Sequence, residues 1–236
     1  MELKEFFAAH PKIALAFSGG VDSAYLLYAA KQLGAEVRAY YVKTAFQPQF
    51  ELDDAKRLAE ALHADMTVLL VDILSDTRVA ANPANRCYFC KKSIFSSILH
   101  AASADGFTTL IDGTNASDDA GDRPGMQALR ELKVYSPLRD CGLTKTDVRR
   151  LSKEAGLFTW NKPAYACLAT RIPAETPIIP EDLARTEKAE DYLFSLGFTD
   201  FRVRQMENAA KLQLPDAQLA HIVEAREQIV ATLKQW

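Results

Sequence analysis

The chain has 236 residues, 48% of them hydrophobic and 25% charged, with a formal net charge of −3 and four cysteines. That length buries a large core, in one large domain or one plus a small appendage. The balanced charge, with no polybasic block, gives no support for a broad nucleic-acid footprint, and no apolar run is long enough to span a bilayer.

Met1-Glu2-Leu3-Lys4-Glu5 lacks a signal-peptide layout, so a cytoplasmic protein is expected. In a reducing compartment, metal, redox or catalytic roles for cysteine come before disulfides. In chain order, residues 12–17 read as a first strand and 22–33 as a first helix. A second strand covers 36–43, a helix 50–63 and a third strand 66–71. A helix near 87–104 leads to a fourth strand at 108–111, a short one at 134–135 and a helix over 144–155. Thr144 stands as that helix's N-cap with Asp147 three residues on, close to a capping box. Alternation of this kind predicts an α/β fold with a doubly wound parallel sheet, whose ligands bind beyond the carboxyl ends of the strands. Pro163, Pro173, Pro177 and Pro180 punctuate the next stretch. Beyond them come a helix (181–196), strands at 200–205 and 210–214, and a last helix (216–235), a small α+β appendage. The expected division is 1–165 and 166–236.

Four segments carry chemistry. The first is Ala16-Phe17-Ser18-Gly19-Gly20-Val21-Asp22-Ser23, a strand end, a Gly pair and a helix start. Such a turn brings backbone N–H groups and a helix N-terminus to one place, and phosphate is the expected guest. It lacks the Gly-Lys-Ser/Thr ending of a Walker loop. The second is Asp112-Gly113-Thr114-Asn115-Ala116-Ser117-Asp118-Asp119 after strand four, whose short donors and carboxylates suit ribose, phosphate or Mg²⁺; alone, it better suits a solvated Asx-rich cap, and the first segment reverses that preference. The third is Cys87-Tyr88-Phe89-Cys90, readable as half a zinc site, a redox pair or two ligands of an iron–sulfur cluster. The fourth is Cys167 within Pro163 to Pro173, where Arg171 supplies a positive neighbour for a thiolate.

Together these segments resemble the LarE family, ATP-dependent sulfur transferases of the PP-loop ATP pyrophosphatase superfamily. The resemblance runs through SGGVDS, RCYFCK, DGTNASDD, Ser136-Pro137-Leu138 with Leu143-Thr144-Lys145, the segment Lys162-Pro163 to Ala166-Cys167-Leu168-Ala169-Thr170-Arg171-Ile172-Pro173, and Phe201-Arg202-Val203-Arg204. It implies ATP and Mg²⁺ at Ala16, Phe17, Ser18, Gly19, Gly20, Asp22, Ser23, Asp112, Gly113, Thr114, Asn115 and Asp118. Asp22 would polarise the loop or hold Mg²⁺. It implies adenylation of a carboxylate of a pyridinium dicarboxylate mononucleotide, loss of pyrophosphate and replacement of AMP by sulfur. Thr170, Arg171, Arg202 and Arg204 would meet the substrate's phosphate; the two strand arginines share a face. Single-cysteine members sacrifice that cysteine as sulfur source. Three-cysteine members hold a [4Fe–4S] cluster, and Cys87, Cys90 and Cys167 match that arrangement. Glu190 matches a metal-linked family position, whereas His221 stands where the family can carry an acidic ligand. Cys141 is assigned no role. A sulfide or sulfur-carrying donor and a homo-oligomer are expected partners. The rival readings are a PP-loop tRNA thiolase, an amide-forming PP-loop ligase and a non-catalytic nucleotide-binding subunit.

Overall fold

The apolar runs become a parallel sheet. In the computed structural model, which describes residues 2–118, 124–207 and 209–236, the strands β1 (Lys12–Ala16), β2 (Glu36–Lys43), β3 (Met66–Leu70) and β4 (Leu110–Ile111) lie in the order β3-β2-β1-β4. All pairings are parallel, with Leu15 opposite Ala39 on one side and Ile111 on the other. The fourth strand is shorter than the 108–111 expected, and the short strand at 134–135 is a single bridge from Tyr135 to Ile111.

Helices α1 (Leu3–Ala9), α2 (Val21–Gln32), α3 (Gln49–Ala61), α4 (Thr77–Ala80), α5 (Arg86–Ala104), α6 (Pro124–Glu131), α7 (Pro137–Asp140) and α8 (Lys145–Glu154) complete the first 154 residues. Period-two alternation sends neighbouring strand residues to opposite faces. Ile13, Leu15 and Tyr41 join a core with Leu27 of α2, Leu58 of α3 and Val148 of α8. Ala14, Tyr40 and Val42 pack on the other face with Phe95 and Ile98 of α5 and Leu129 of α6. Helices on both faces are what a sheet of near-continuous apolar strands requires. Thr144 and Asp147 form the capping box reciprocally, each backbone N–H donating to the other's side chain at 3.0 and 3.2 Å.

The chain divides into two compact units, Met1–Ile73 with Asn85–Lys162 and Leu74–Ala84 with Pro163–Trp236. The second contains α9 (Pro180–Ser195), an antiparallel hairpin of β5 (Arg202–Met206) and β6 (Ala209–Gln213), and α10 (Leu219–Leu233) after a 3₁₀ turn at Asp216–Gln218. Its core is Ala189, Leu193, Phe198, Phe201, Val203, Ala225 and Ile229. Residues 74–84 join it through Asn82, whose buried amide donates to the carbonyls of Pro173 and Thr176 at 2.7 and 3.0 Å.

Candidate nucleotide site and sulfur-transfer segment

The loop after β1 is braced by its own hydroxyls. Ser18 donates its N–H to Ser23 Oγ at 3.3 Å, the two Oγ atoms are 3.1 Å apart, and Ser23 Oγ donates to the Gly20 carbonyl at 3.2 Å. Phe17 is buried and ties the loop to β2 through its N–H on the Tyr40 carbonyl, 2.9 Å. Gly19 has φ +71°, and a Cβ there would stand 3.1 Å from Ala55 Cβ. Gly20 caps α2, so helix geometry leaves the N–H groups of Val21, Asp22 and Ser23 without helical partners. Those donors and the positive helix end make an anion cradle.

The loop after β4 closes on it from the other side of the point where strand order reverses, the usual crevice of a doubly wound sheet. A Cβ on Gly113 would lie 2.9 Å from Ser23 N, so only glycine permits this approach. Asn115, buried, donates its amide to Asp22 Oδ1 at 3.1 Å and its N–H to Asp118 Oδ2 at 2.9 Å. Asp112 is buried and turned inward, accepting from Ser136 Oγ at 2.7 Å and from the N–H and hydroxyl of Thr114. Asp119 lies outside the described residues. Lys145, the first residue of α8, places its Nζ on Asp22 Oδ2 and donates its N–H to Ser117 Oγ at 2.9 Å. Helix α8 therefore brings a cation to the cradle that the loop itself lacks. The set suits a magnesium nucleotide: unpaired N–H donors and a lysine for phosphate oxygens, and Asp22 for the metal.

The sulfur-bearing residues divide between the units. Cys87, exposed, and Cys90, half-buried, are three apart on the first turns of α5 and so share a face. Arg86 Nη2 lies 4.0 Å from Cys87 Sγ. Cys167 belongs to the second unit and opens the 3₁₀ turn Leu168–Arg171. Among the described residues no three His, Cys, Asp or Glu side chains gather into a ready metal site. Burial pushes the Cys141 thiol pKa up.

Arg171 and Glu190, expected as a phosphate contact and a metal ligand, have side chains 0% and 2% exposed and pair with each other. Arg171 Nε and Nη2 donate to the two carboxylate oxygens at 2.8 and 3.0 Å, and Tyr165 Oη and the Val203 N–H complete the carboxylate's partners. Both groups are occupied by protein partners. Thr170 Oγ1 is also engaged, donating to the Cys167 carbonyl at 2.9 Å. Arg202 and Arg204 flank buried Val203 on one face of β5, as their alternation predicted. Arg202 has no hydrogen bond or ion pair among the described residues, while Arg204 Nη1 donates to the Thr170 carbonyl at 3.0 Å. His221 stacks on Phe198 with ring centroids 4.2 Å apart.

Comparison with known proteins finds relatives over most of the chain. Residues 12–88 match the family described as queuosine biosynthesis protein QueC, itself of the PP-loop type. A protein of Synechocystis, slr1717, is 36% identical over 226 residues, covering 94% of this chain and 83% of its own length. The pyridinium-3,5-bisthiocarboxylic acid mononucleotide synthase of Lactiplantibacillus plantarum, LarE, is 35% identical over 210 residues, 88% of this chain and 76% of that enzyme. The chain belongs to the LarE family. It is accordingly an enzyme, a sulfurtransferase on a PP-loop fold. A more distant likeness, 26% over 182 residues, joins it to a tRNA-specific 2-thiouridylase of Clostridium botulinum, covering 64% of this chain and 52% of that enzyme.

On this LarE-type framework, Ser18, Gly19, Gly20, Asp22, Ser23, Gly113, Asn115 and Asp118 gather around one cradle, with Ala16 and Phe17 at its base. Asp112 and Thr114 shape it from behind. In the sequence Lys145 is marked only by the resemblance. The signal that could have found it is the capping box, which fixes Lys145 as the first residue of α8.

Proposed function

We propose that this enzyme adenylates a carboxylate of a pyridinium dicarboxylate mononucleotide and replaces the adenylate with sulfur. The similarity to LarE over 88% of the chain carries the reading. A substrate carboxylate oxygen attacks the α-phosphorus of ATP, the Pα–O bond to the β-phosphate breaks, and pyrophosphate leaves. The N–H groups of Val21, Asp22 and Ser23 and the Lys145 ammonium face the charge that develops on the departing oxygens. A sulfur nucleophile then attacks the acyl carbon and AMP departs, giving a thiocarboxylate. Arg202 and Arg204 hold the substrate's phosphate; Cys167 is the sulfur-handling residue.

We further propose that Cys87, Cys90 and Cys167 hold a [4Fe–4S] cluster; support comes from their donor chemistry and from the shared helix face of the first two. Held by these three thiolates, such a cluster would offer a site for exogenous sulfide, and the enzyme would then turn over repeatedly. A sulfide or sulfur-carrying donor, a homo-oligomeric state and a cytoplasmic location go with this reading. Among the described residues no helix is long and apolar enough to cross a membrane. The test is anaerobic reconstitution with iron and sulfide beside a Cys167→Ala variant. Broad visible absorption and about four irons per chain, lost in the variant, support it. A colourless, iron-free protein that still makes thiocarboxylate once per chain returns Cys167 to a sacrificial role. The thiouridylase likeness keeps a tRNA substrate as the second reading, and a gel shift with bulk tRNA decides it.

A further inference from the structure

The buried pair Arg171–Glu190 links two segments of the second unit. Its contacts run in two directions. Toward Cys167, Arg171 Nη1 donates to the Ala166 carbonyl at 2.6 Å and to Thr170 Oγ1 at 3.0 Å, while Thr170 donates both its N–H and its hydroxyl to the Cys167 carbonyl, each at 2.9 Å. Toward the hairpin, Glu190 Oε1 accepts the N–H of Val203 at 2.9 Å, and Val203 sits between Arg202 and Arg204. Arg204 closes the circuit on the Thr170 carbonyl. The Tyr165 ring covers the guanidinium, its centroid 4.5 Å from Cζ. Such a pair is costly to bury and contributes little net stability over apolar residues of the same volume. Its geometric effect is larger: it fixes the backbone on both sides of Cys167 to the strand that carries the two arginines.

We infer that Arg171 and Glu190 are positioning residues that register Cys167 against an anion held on β5, so that phosphate at Arg202 and Arg204 is felt at the thiol. The inference rests on the proposed roles of Cys167 and of the two arginines. The test uses the full-length protein and three variants: Glu190→Gln, the doubly apolar Arg171→Met with Glu190→Leu, and Cys167→Ala. The double variant guards against misfolding, because removing both charges leaves no uncompensated ion. Single-turnover thiocarboxylate formation is expected to fall about 10²-fold in the first two, the loss that follows a misplacement of about 1 Å. The KM for ATP should not change. The rate of Cys167 carbamidomethylation by iodoacetamide, read by peptide mass spectrometry, should depend on inorganic phosphate in the wild type and lose that dependence in both variants. A purely structural pair would not produce that change. Wild-type transfer in the double variant, or equal phosphate dependence in the wild type and both Glu190 variants, overturns the inference. Wild-type transfer by Cys167→Ala instead overturns the underlying reading of Cys167, so the two failures are told apart.

Discussion

Gly113→Ala tests whether the β4 loop and the phosphate loop act as one site. The added Cβ would stand 2.9 Å from Ser23 N, 3.2 Å from Ser23 Cα and 3.3 Å from the Asp22 carbonyl carbon. All three are backbone atoms in the first turn of α2, so no side chain can swing aside. Overpacking of this kind costs about 1–3 kcal/mol. For a chain of this size each kcal/mol lowers Tm by about 2–4 °C, giving a fall of roughly 2–12 °C. The relieving shift separates the very groups that must face the triphosphate, and sites tolerate only about 0.5 Å of such movement. It also pulls Asn115 from Asp22, now 3.1 Å apart. ATP-dependent pyrophosphate release should therefore fall about 10²-fold, well beyond what the lower Tm explains at 25 °C. The assay is pyrophosphate release with substrate, beside thermal unfolding with and without ATP. Wild-type release, or an unchanged stabilisation by ATP, would refute the idea that this contact sets the cradle.

Lys145→Met should lower pyrophosphate release by about 10²–10³-fold, the effect of deleting one preorganised donor, with a near-wild-type Tm because the pair with Asp22 is partly exposed; a kcat within twofold of wild type sinks that role. Asn82→Ala removes both amide donors that Asn82 gives to Pro173 and Thr176 and puts alanine at φ +56°, so the denaturation midpoint should drop by the equivalent of about 1–3 kcal/mol, with Asn82→Gly recovering only the backbone share. Lys92, then Tyr88 and Gln127, hold the Glu131 carboxyl down to about 2. Its contribution is therefore present above the ordinary carboxylate pKa of about 4.3 and lost as pH falls toward 2. The Tm difference between wild type and Glu131→Gln should close across that window; a difference that persists at pH 2 contradicts the assignment.

The phosphate loop was legible because everything it needs is local: an apolar strand, two glycines and a helix start within a dozen residues. Arg202 and Arg204 were legible for the same reason, since strand period alone puts them on one face. The capping box shows that Lys145 opens α8, but its place beside Asp22 depends on α8 packing beside α2 through buried Val148, a tertiary fact with no sequence period of its own. Helix α6 was hidden by Pro124-Gly125, which reads as a breaker although proline is at home in a first helical turn. Residues 74–84 carry no apolar period that assigns them to the second unit; hydrogen bonds of Ala80, Asn82 and Ala84 to residues 173–178 do so.

Charged residues show most clearly why sequence stops short. Asp22 and Asp112 look equally able to hold a cation when only the letters are seen, and so do Arg171 and Arg204 when the guest is a phosphate. Burial separates them. Asp112 is 6% exposed and consumed by Thr114 and Ser136, and Arg171 is 1% exposed and consumed by Glu190. A buried charge must be paired, because leaving water costs it several kcal/mol, and the pairing that makes it tolerable removes it from ligand chemistry. Asp22 keeps a partly exposed carboxylate whose partner, Lys145, is a cation that a triphosphate would recruit for itself. On the proposed reading, a bound triphosphate would offer Lys145 phosphate oxygens to move to and would free Asp22 for Mg²⁺. The Lys145–Asp22 ion pair would then hold the two charges beside the cradle in mutual compensation until nucleotide and metal separate them.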